Sequence, residues 1–147
     1  MFNRQQNGFT TVELMVVTAI AGILVTVAIP HLARWRALLR VNAAARTIAS
    51  DLQLSRMNAI SQNARFRVNF NTTDETYQLQ KWQAGTWQTV KDGAKSLPKE
   101  VDLVSVSTDP VFQTLGNTLG SATIVVQNTL GRTRTVNVSS TGRVKVQ

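Results

Sequence analysis

The pattern of hydrophobic and polar positions divides the chain into three stretches. The first is an apolar run from Phe9 to Ile29 that a single charged residue, Glu13, interrupts. At about 1.5 Å of rise per residue, a helix over this run would span roughly 31 Å, close to the roughly 30 Å hydrocarbon core of a bilayer. The pattern therefore predicts a transmembrane N-terminal helix over residues 9–30.

A cleaved secretory signal peptide is the alternative interpretation of this run. Arg4 precedes the apolar residues, and small residues such as Ala28 and Ala33 lie downstream. The apolar region of a secretory signal has about 7 to 15 residues, whereas this run is longer and continues directly into helix-forming sequence. The pattern favours a retained anchor over a cleaved signal.

The second stretch, residues 31–64, has the periodicity of an amphipathic helix. Pro30 lacks an N–H and is expected to kink or interrupt the helix before it resumes. Neither Pro nor Gly occurs from His31 to Ala64. The residues expected to form one stripe toward a core recur at three- and four-residue spacing and are Leu38, Val41, Ala45, Ile48, Leu52, Ala59 and Ile60.

The third stretch, residues 65–147, alternates between apolar and polar positions and predicts a β-rich globular domain. The expected strands are 66–70, 76–82, 87–91, 101–107, a short one at 111–112, 122–128, 133–139 and 143–147. A tight hairpin is expected at Gly85 and a second turn at Gly131. A long N-terminal helix packed on one or two antiparallel sheets is an α+β fold.

Composition excludes several kinds of chemistry. The chain has 147 residues, enough for one domain with a core, and it contains no Cys and one His. Thiolate catalysis, disulfides and Cys-based metal sites are therefore excluded, and no phosphate-binding glycine motif or H-E-x-x-H motif occurs. His31 has no triad partner and is expected to be an interfacial residue. We expect no enzyme activity, no metal and no cofactor.

The positive charge is concentrated in two places. The net charge of +8 comes from 16 Lys and Arg against 8 Asp and Glu. Residues 31–67 contain seven arginines and the single acid Asp51. Such charges usually form a solvated face, and here they also follow the predicted membrane segment, where anionic lipid headgroups attract them.

The second basic region is the C-terminal stretch, residues 111–147, which contains four cations and no acid. Strand alternation places Arg143 and Lys145 on one face and the two intervening valines on the other. Arg132 and Arg134 are expected near the turn at Gly131, past the edge of the core. Such a basic patch suits contact with phosphates, and the alternatives are a solvated strand or an acidic neighbouring protein.

Glu13 is the exception within the apolar run. A carboxylate at the centre of a membrane helix costs about 2.5–3.5 kcal/mol, and less near the interface. Glu13 is therefore expected either to lie near the interface and stay solvated or to have a cationic partner inside an assembly.

The segment Gly8-Phe9-Thr10-Thr11-Val12-Glu13-Leu14 resembles the processing motif of type IV prepilins. The resemblance implies cleavage after Gly8 by a membrane prepilin peptidase, so that residues 1–8 are a leader peptide, and N-methylation of the new terminus at Phe9. It also implies that Glu13 pairs with the α-amine of Phe9 on a neighbouring subunit during filament assembly.

The remainder of the chain resembles the GspH/FimT family of pseudopilins and minor pilins. The matching segments are Asp51–Phe70, Leu97-Pro98, Val111-Phe112 with Gly116 close behind, and Thr141-Gly142-Arg143-Val144-Lys145. The resemblance implies a pilin-like α+β fold and a structural subunit of a type II secretion pseudopilus or a type IV pilus. Its implied partners are other pilin or pseudopilin subunits and the inner-membrane assembly platform.

The resemblance also implies a location. The chain would cross the bacterial inner membrane once, with its C-terminal domain in the periplasm, and would assemble into a periplasmic or extracellular filament. The distribution of Arg34, Arg36 and Arg40 against Arg4 mildly favours the opposite orientation by the positive-inside rule. The processing motif is the more specific of the two signals. A plain single-pass anchor protein with a β domain is the remaining alternative.

A DNA-binding role is the second functional hypothesis. Gly142-Arg143-Val144-Lys145 resembles the G-R-x-R element that FimT-like minor pilins use for DNA binding in natural transformation. Lys145 keeps the charge of the second arginine but lacks its planar fork of donors. Trp82 and Trp87 are candidates either for stacking on bases or for a cross-strand pair that stabilises the hairpin.

Overall fold

A long helix and eight strands make up the part of the chain that the structure describes. The computed structural model describes residues 9–147. The chain forms two compact units, one ending at Arg36 and the other comprising Ala37–Gln147. The elements are α1 (Thr11–Ser61), β1 (Phe66–Asn71), β2 (Thr76–Gln83), β3 (Thr86–Ser96), β4 (Val101–Val106), β5 (Val111–Phe112), β6 (Ala122–Asn128), β7 (Thr133–Val138) and β8 (Val144–Val146).

The strands form two antiparallel four-stranded sheets. One has the order β3-β2-β1-β5 and the other the order β4-β6-β7-β8. The predicted hairpin at Gly85 is confirmed: Gln83 pairs with Thr86, and the two residues between them, Ala84 and Gly85, have positive φ angles of 51° and 79°. Two consecutive residues with positive φ are the geometry of a type I′ turn, whose twist matches that of the flanking strands.

Helix α1 differs from its predicted limits at two places. It continues through position 30, so of the two expected effects of Pro30, a kink or an interruption, the interruption does not occur, and it ends at Ser61 rather than at Ala64. Asn63 has a φ of 46°. The N–H of Asn63 donates to the carbonyl of Ile60 at 3.4 Å, and the N–H of Ala64 donates to that of Ala59 at 3.2 Å. This pair of bonds is a Schellman cap, in which Asn63 supplies the left-handed residue.

Strand β3 is longer than predicted, because the sequence Asp92-Gly93 does not end it. Gln80 pairs with Thr89 and Gln78 pairs with Ala94, so residues 90–93 of β3 lie opposite Leu79 of β2. Gly93 within this irregularity has a φ of 67°. An Asp-Gly pair is typical of a turn. Here Asp92-Gly93 lies in a bulge instead, and the strand resumes after it. Strand β8 is shorter than predicted.

The core of the second unit lies between residues 37–61 of α1 and the inner faces of both sheets. Small side chains dominate the buried face of the helix. The expected stripe is corrected at its ends: Leu38 and Ile60 are 36% and 50% exposed, whereas Ala37 and Ala59 are buried. The buried helical residues are Ala37, Val41, Ala44, Ala45, Ile48, Ala49, Asp51, Leu52, Ser55 and Ala59.

One buried carboxylate links the helix to the first sheet. The hydroxyl of Tyr77 on β2 donates to Asp51 Oδ2 at 2.6 Å, and Lys95 Nζ on β3 donates to Asp51 Oδ1 at 2.9 Å. Tyr77 and Lys95 face each other across the two strands. Burial, and then the hydrogen bond and negative charge of Asp51, raise the pKa of Tyr77. Asp51, the single acid of residues 31–67, therefore has a structural role.

The raised pKa of Tyr77 predicts a specific loss of stability in alkali. Because the folded pKa lies above the ordinary value of 10.0, the stability that Tyr77 contributes is fully present below that pH and is lost as pH rises beyond it. The chain contains one tyrosine, so the ultraviolet absorbance of tyrosinate reports this residue alone. We expect tyrosinate to appear only as the native circular dichroism is lost. Native protein that ionises Tyr77 at the ordinary pH would contradict the prediction, and Tyr77→Phe should remove this part of the alkaline sensitivity.

Candidate functional site

Thr10 caps the first turn of α1. Its Oγ1 accepts a hydrogen bond from the backbone N–H of Glu13 at 3.2 Å, and its carbonyl accepts one from the N–H of Leu14 at 3.2 Å. Thr10 and Glu13 thus occupy the Ncap and N3 positions in the T-x-x-E order of a capping box. This role of Thr10 was not predicted, although the spacing of the two residues is a signal of helix initiation. An acidic N3 residue also complements the positive end of the helix dipole.

The apolar half of α1 is exposed along its length. Phe9 is 80% exposed, and every residue from Phe9 to Thr26 is classed as exposed, Glu13 included. An apolar surface of this extent marks contact with another protein or with a membrane. In the part of the chain that the structure describes, no helix combines the length and apolarity required of a membrane span. The predicted cleavage residue Gly8 lies outside the described residues.

Arg143 and Lys145 lie together at the C-terminal end of the second sheet. Lys145 faces Asn137 on β7, which in turn faces Thr123 on β6, so these three residues form a row across three strands. Both cations are exposed. They line a shallow depression of about 460 Å³ whose other walls are mainly hydroxyl and amide side chains. The two cations suit contact with an anion, whereas most of the surface between them is apolar.

The four predicted C-terminal cations do not form one cluster. Arg134 Nε donates to Asn42 Oδ1 on α1 at 2.5 Å, so this half-buried side chain ties β7 to the helix. The N–H of Ser139 bonds to the carbonyl of Arg143, which places the two residues side by side. Arg134 is five residues from Ser139, about 17 Å along a strand, and Arg132 is farther. The structure therefore brings together Arg143 and Lys145 and leaves Arg132 and Arg134 at the opposite end of the sheet.

Asn128 joins the end of the second sheet that carries Arg132 and Arg134 to the helix. It is buried, and its Nδ2 donates to the carbonyl of Ala37 on α1 at 3.0 Å. Its Oδ1 accepts from the N–H groups of Leu130 and Arg132, which closes the β6–β7 turn. The predicted turn at Gly131 is confirmed, with a φ of 74° at this glycine. The position of Arg132 is therefore determined by the turn and by Asn128, whose role was not predicted.

Two glycines and one arginine fix the turn that precedes Arg143. Arg56 Nε on α1 donates to the carbonyl of Gly116 at 2.8 Å. Gly142 has a φ of 78°, and a Cβ at this position would lie 1.9 Å from the same carbonyl oxygen. The turn over residues 139–142 therefore packs directly against the loop at Gly116, whose carbonyl accepts the bond from Arg56.

The two tryptophans of the β2–β3 hairpin form a cross-strand pair. Trp82 faces Trp87, with ring centroids 5.1 Å apart and an edge-to-face angle of 64°. The guanidinium carbon of Arg67 lies 4.5 Å from the ring centroid of Trp87. Edge-to-face packing and a cation over the ring stabilise the hairpin. The predicted cross-strand pair is confirmed.

The comparison with known proteins identifies the family. Residues 44–142 match the family described as Type II transport protein GspH. The chain belongs to the GspH family. Residues 3–29 of this GspH-family chain match the prokaryotic N-terminal methylation motif. Two fimbrial proteins of Pseudomonas aeruginosa are 31% identical to it over 119 residues, which cover 81% of this chain and 74% of each relative.

Solved structures show the same fold at low sequence identity. The minor pseudopilin EpsH of the Vibrio cholerae type 2 secretion system has a TM-score of 0.64 at 13% identity and covers 74% of this chain and 96% of its own. The Pseudomonas aeruginosa type IV minor pilin FimU has a TM-score of 0.58 at 14% identity, with coverage of 72% and 91%. Escherichia coli GspH has a TM-score of 0.62 at 12% identity, with coverage of 74% and 88%. The predicted pilin-like α+β fold is confirmed, and the family and fold are those of structural subunits.

Proposed function

We propose that this GspH-family chain is a minor pilin or pseudopilin, a structural subunit of a type II secretion pseudopilus or a type IV pilus. The observation that carries the proposal is the exposed apolar segment over residues 9–26, helical from Thr11, within the part of the chain that matches the methylation motif. Other pilin-type helices and lipid are the apolar surroundings that such a surface requires.

The proposed pathway begins with a membrane-anchored precursor. Prepilin peptidase cleaves after Gly8, removes the leader over residues 1–8 and methylates Phe9. Residues 9–30 anchor the chain in the bacterial inner membrane, where it meets the assembly platform, and the C-terminal domain lies in the periplasm. The methylation-motif match over residues 3–29 supports this order of events.

Glu13 is proposed to direct assembly. In apolar surroundings its carboxylate requires a cation, and the new α-amine of Phe9 on a neighbouring subunit supplies one. Glu13 is exposed in the isolated chain and lies in the first turn of α1. Its side chain is therefore available to a neighbour.

Cell fractionation tests the proposed role. An epitope placed at the exposed hairpin tip, between Ala84 and Gly85, would follow the chain through inner-membrane and sheared-filament fractions. We expect shortened chains in both fractions, and full-length chains held in the membrane when Gly8 is replaced by Glu. A processed chain that never enters filaments, in cells that assemble them, would overturn the proposal.

DNA binding through Arg143 and Lys145 is a second candidate function. The observation that favours it is their shared depression of about 460 Å³, within residues 111–147, a segment that contains no acid. Arginine suits bidentate contact with phosphate, and the neighbouring hydroxyl and amide groups suit contact with phosphate and sugar oxygens. With two cations, binding per subunit would be weak and salt-sensitive.

A titration of the full chain with duplex DNA in uncharged detergent tests this candidate. Replacing both Arg143 and Lys145 by Ala should lower the slope of log affinity against log salt by about 1.8, since each phosphate contact contributes about 0.9. The control variant, Arg46→Ala with Arg65→Ala, removes the same charge from exposed positions outside the depression. Equal slopes for the two double variants would reject the site.

A further inference from the structure

Helix α1 places a third arginine beside the C-terminal pair. Gln53, Arg56 and Met57 on the helix and Gly142, Arg143 and Val144 after the turn line a cleft of about 280 Å³. We infer that this cleft holds one phosphodiester group of a DNA strand between the guanidinium groups of Arg56 and Arg143. The inference rests on the second candidate function above and adds Arg56, which the sequence pattern does not place in the DNA site.

The charge of Arg56 has no acidic partner among the described residues. The ion pairs in that part of the chain join Arg40 to Glu100 and Lys95 to Asp51. Arg56 is half-buried, and its Nε is bonded to the carbonyl of Gly116. A guanidinium has five N–H donors, and among the residues whose side chains the structure describes only the Nε of Arg56 is bonded. A partly desolvated cation with unused donors favours an anionic ligand.

The two walls of the cleft are held in a fixed relation. Gly116 accepts the bond from Arg56, and the same carbonyl oxygen is the atom against which Gly142 packs. The residue after Gly142 is Arg143. Because the helix, the loop at Gly116 and the turn at Gly142 are in direct contact, little conformational entropy is lost when both arginines engage one ligand.

The cleft adjoins the depression on the outer face of the second sheet, since Arg143 lines both. Lys145 lines the depression. The cations Arg56, Arg143 and Lys145 therefore follow one another along the surface. Arg143 and Lys145 are two strand positions apart, about 6.7 Å, so each side chain can contact a different phosphate of one DNA strand. This arrangement suits a phosphate backbone read without regard to base sequence.

The substitution Arg56→Gln tests the cleft. Glutamine keeps an amide donor for the Gly116 carbonyl but removes the charge. In the full chain, titrated with a fluorescent DNA duplex at several salt concentrations, we expect this variant to lose about 0.9 of the salt slope. Arg46→Gln makes the same change at an exposed position about 15 Å earlier on the same helix, and its slope should equal that of the unmodified chain.

The outcomes separate the cleft from the rest of the DNA site. An unchanged slope for Arg56→Gln, alongside a lowered slope when Arg143 and Lys145 are replaced, overturns the cleft and leaves the DNA site standing. Unchanged slopes in both variants overturn DNA binding itself. If Arg56→Gln keeps its affinity for DNA but fails to enter filaments, the cleft binds an acidic group of a neighbouring subunit and the inference is wrong.

A measurement on the unmodified chain covers the case in which Arg56→Gln does not fold. Phenylglyoxal modifies accessible arginines, and mass spectrometry locates the modified residues. DNA should protect Arg56 and Arg143 from modification and leave Arg46 reactive. Protection of Arg143 without protection of Arg56 would overturn the inference.

Discussion

Replacing Gly142 by Ala is expected to lower the free energy of unfolding by on the order of 4 kcal/mol. The φ of 78° strains any residue with a Cβ, and the new atom would lie 1.9 Å from the carbonyl oxygen of Gly116. That contact is with backbone, so relief requires the whole turn to move away from Arg56 and the loop. Chemical denaturation followed by circular dichroism measures the change.

The matched control for this prediction is Gly85→Ala. Gly85 has a φ of 79° and no atom within 4 Å of its added Cβ. The substitution should then lower the free energy of unfolding by the backbone strain alone, about 1–2 kcal/mol. Equal destabilisation at the two glycines would show that the close approach of Gly142 to Gly116 has no energetic weight. The displaced turn should also weaken any contact that Arg143 makes with DNA.

Replacing Glu13 by Gln is expected to leave processing intact and to lower incorporation into filaments by about tenfold or more. Removal of one partner from a desolvated ion pair costs about 3–5 kcal/mol. Glutamine is also the residue that substitutes for Glu in a capping box. The substitution therefore removes the charge and retains the cap, and quantitative immunoblotting of filaments measures the result.

The control for Glu13 is Thr10→Ala. Thr10 Oγ1 accepts the N–H of Glu13, and loss of such a cap costs about 1 kcal/mol of helix stability. Filaments should still contain this variant at nearly the normal level. If Thr10→Ala is excluded as strongly as Glu13→Gln, helix initiation rather than charge pairing controls incorporation. Normal incorporation of Glu13→Gln would defeat the proposed ion pair.

Much of the fold follows from local pattern. The alternation after Ala64 predicts each observed strand, because one face of each sheet packs on the helix and the other faces solvent. The pattern does not show where apolar residues leave the core: Ile60 is exposed because Ala59, one position earlier, faces the sheet. The continuation of β3 beyond Asp92-Gly93 depends on pairing with β2, which the local sequence does not encode.

The candidate site follows from the sequence only in part. Alternation over residues 143–146 predicts the exposure of Arg143 and Lys145, because it is a property of consecutive residues, but Val146 on the predicted inner face is also exposed. The half-buried position of Arg134 depends on its bond to Asn42, 92 positions earlier in the chain. The approach of Arg56 to Gly142 likewise joins distant segments. Periodicity within one element carries no information about such contacts.

The central claim is that this GspH-family chain is a processed filament subunit. The most direct test is the mass and N-terminal sequence of the chain isolated from the membranes of cells that contain prepilin peptidase. The account predicts a chain that begins at Phe9 and carries one added methyl group on its α-amine. A mature chain that begins at Met1 would contradict it.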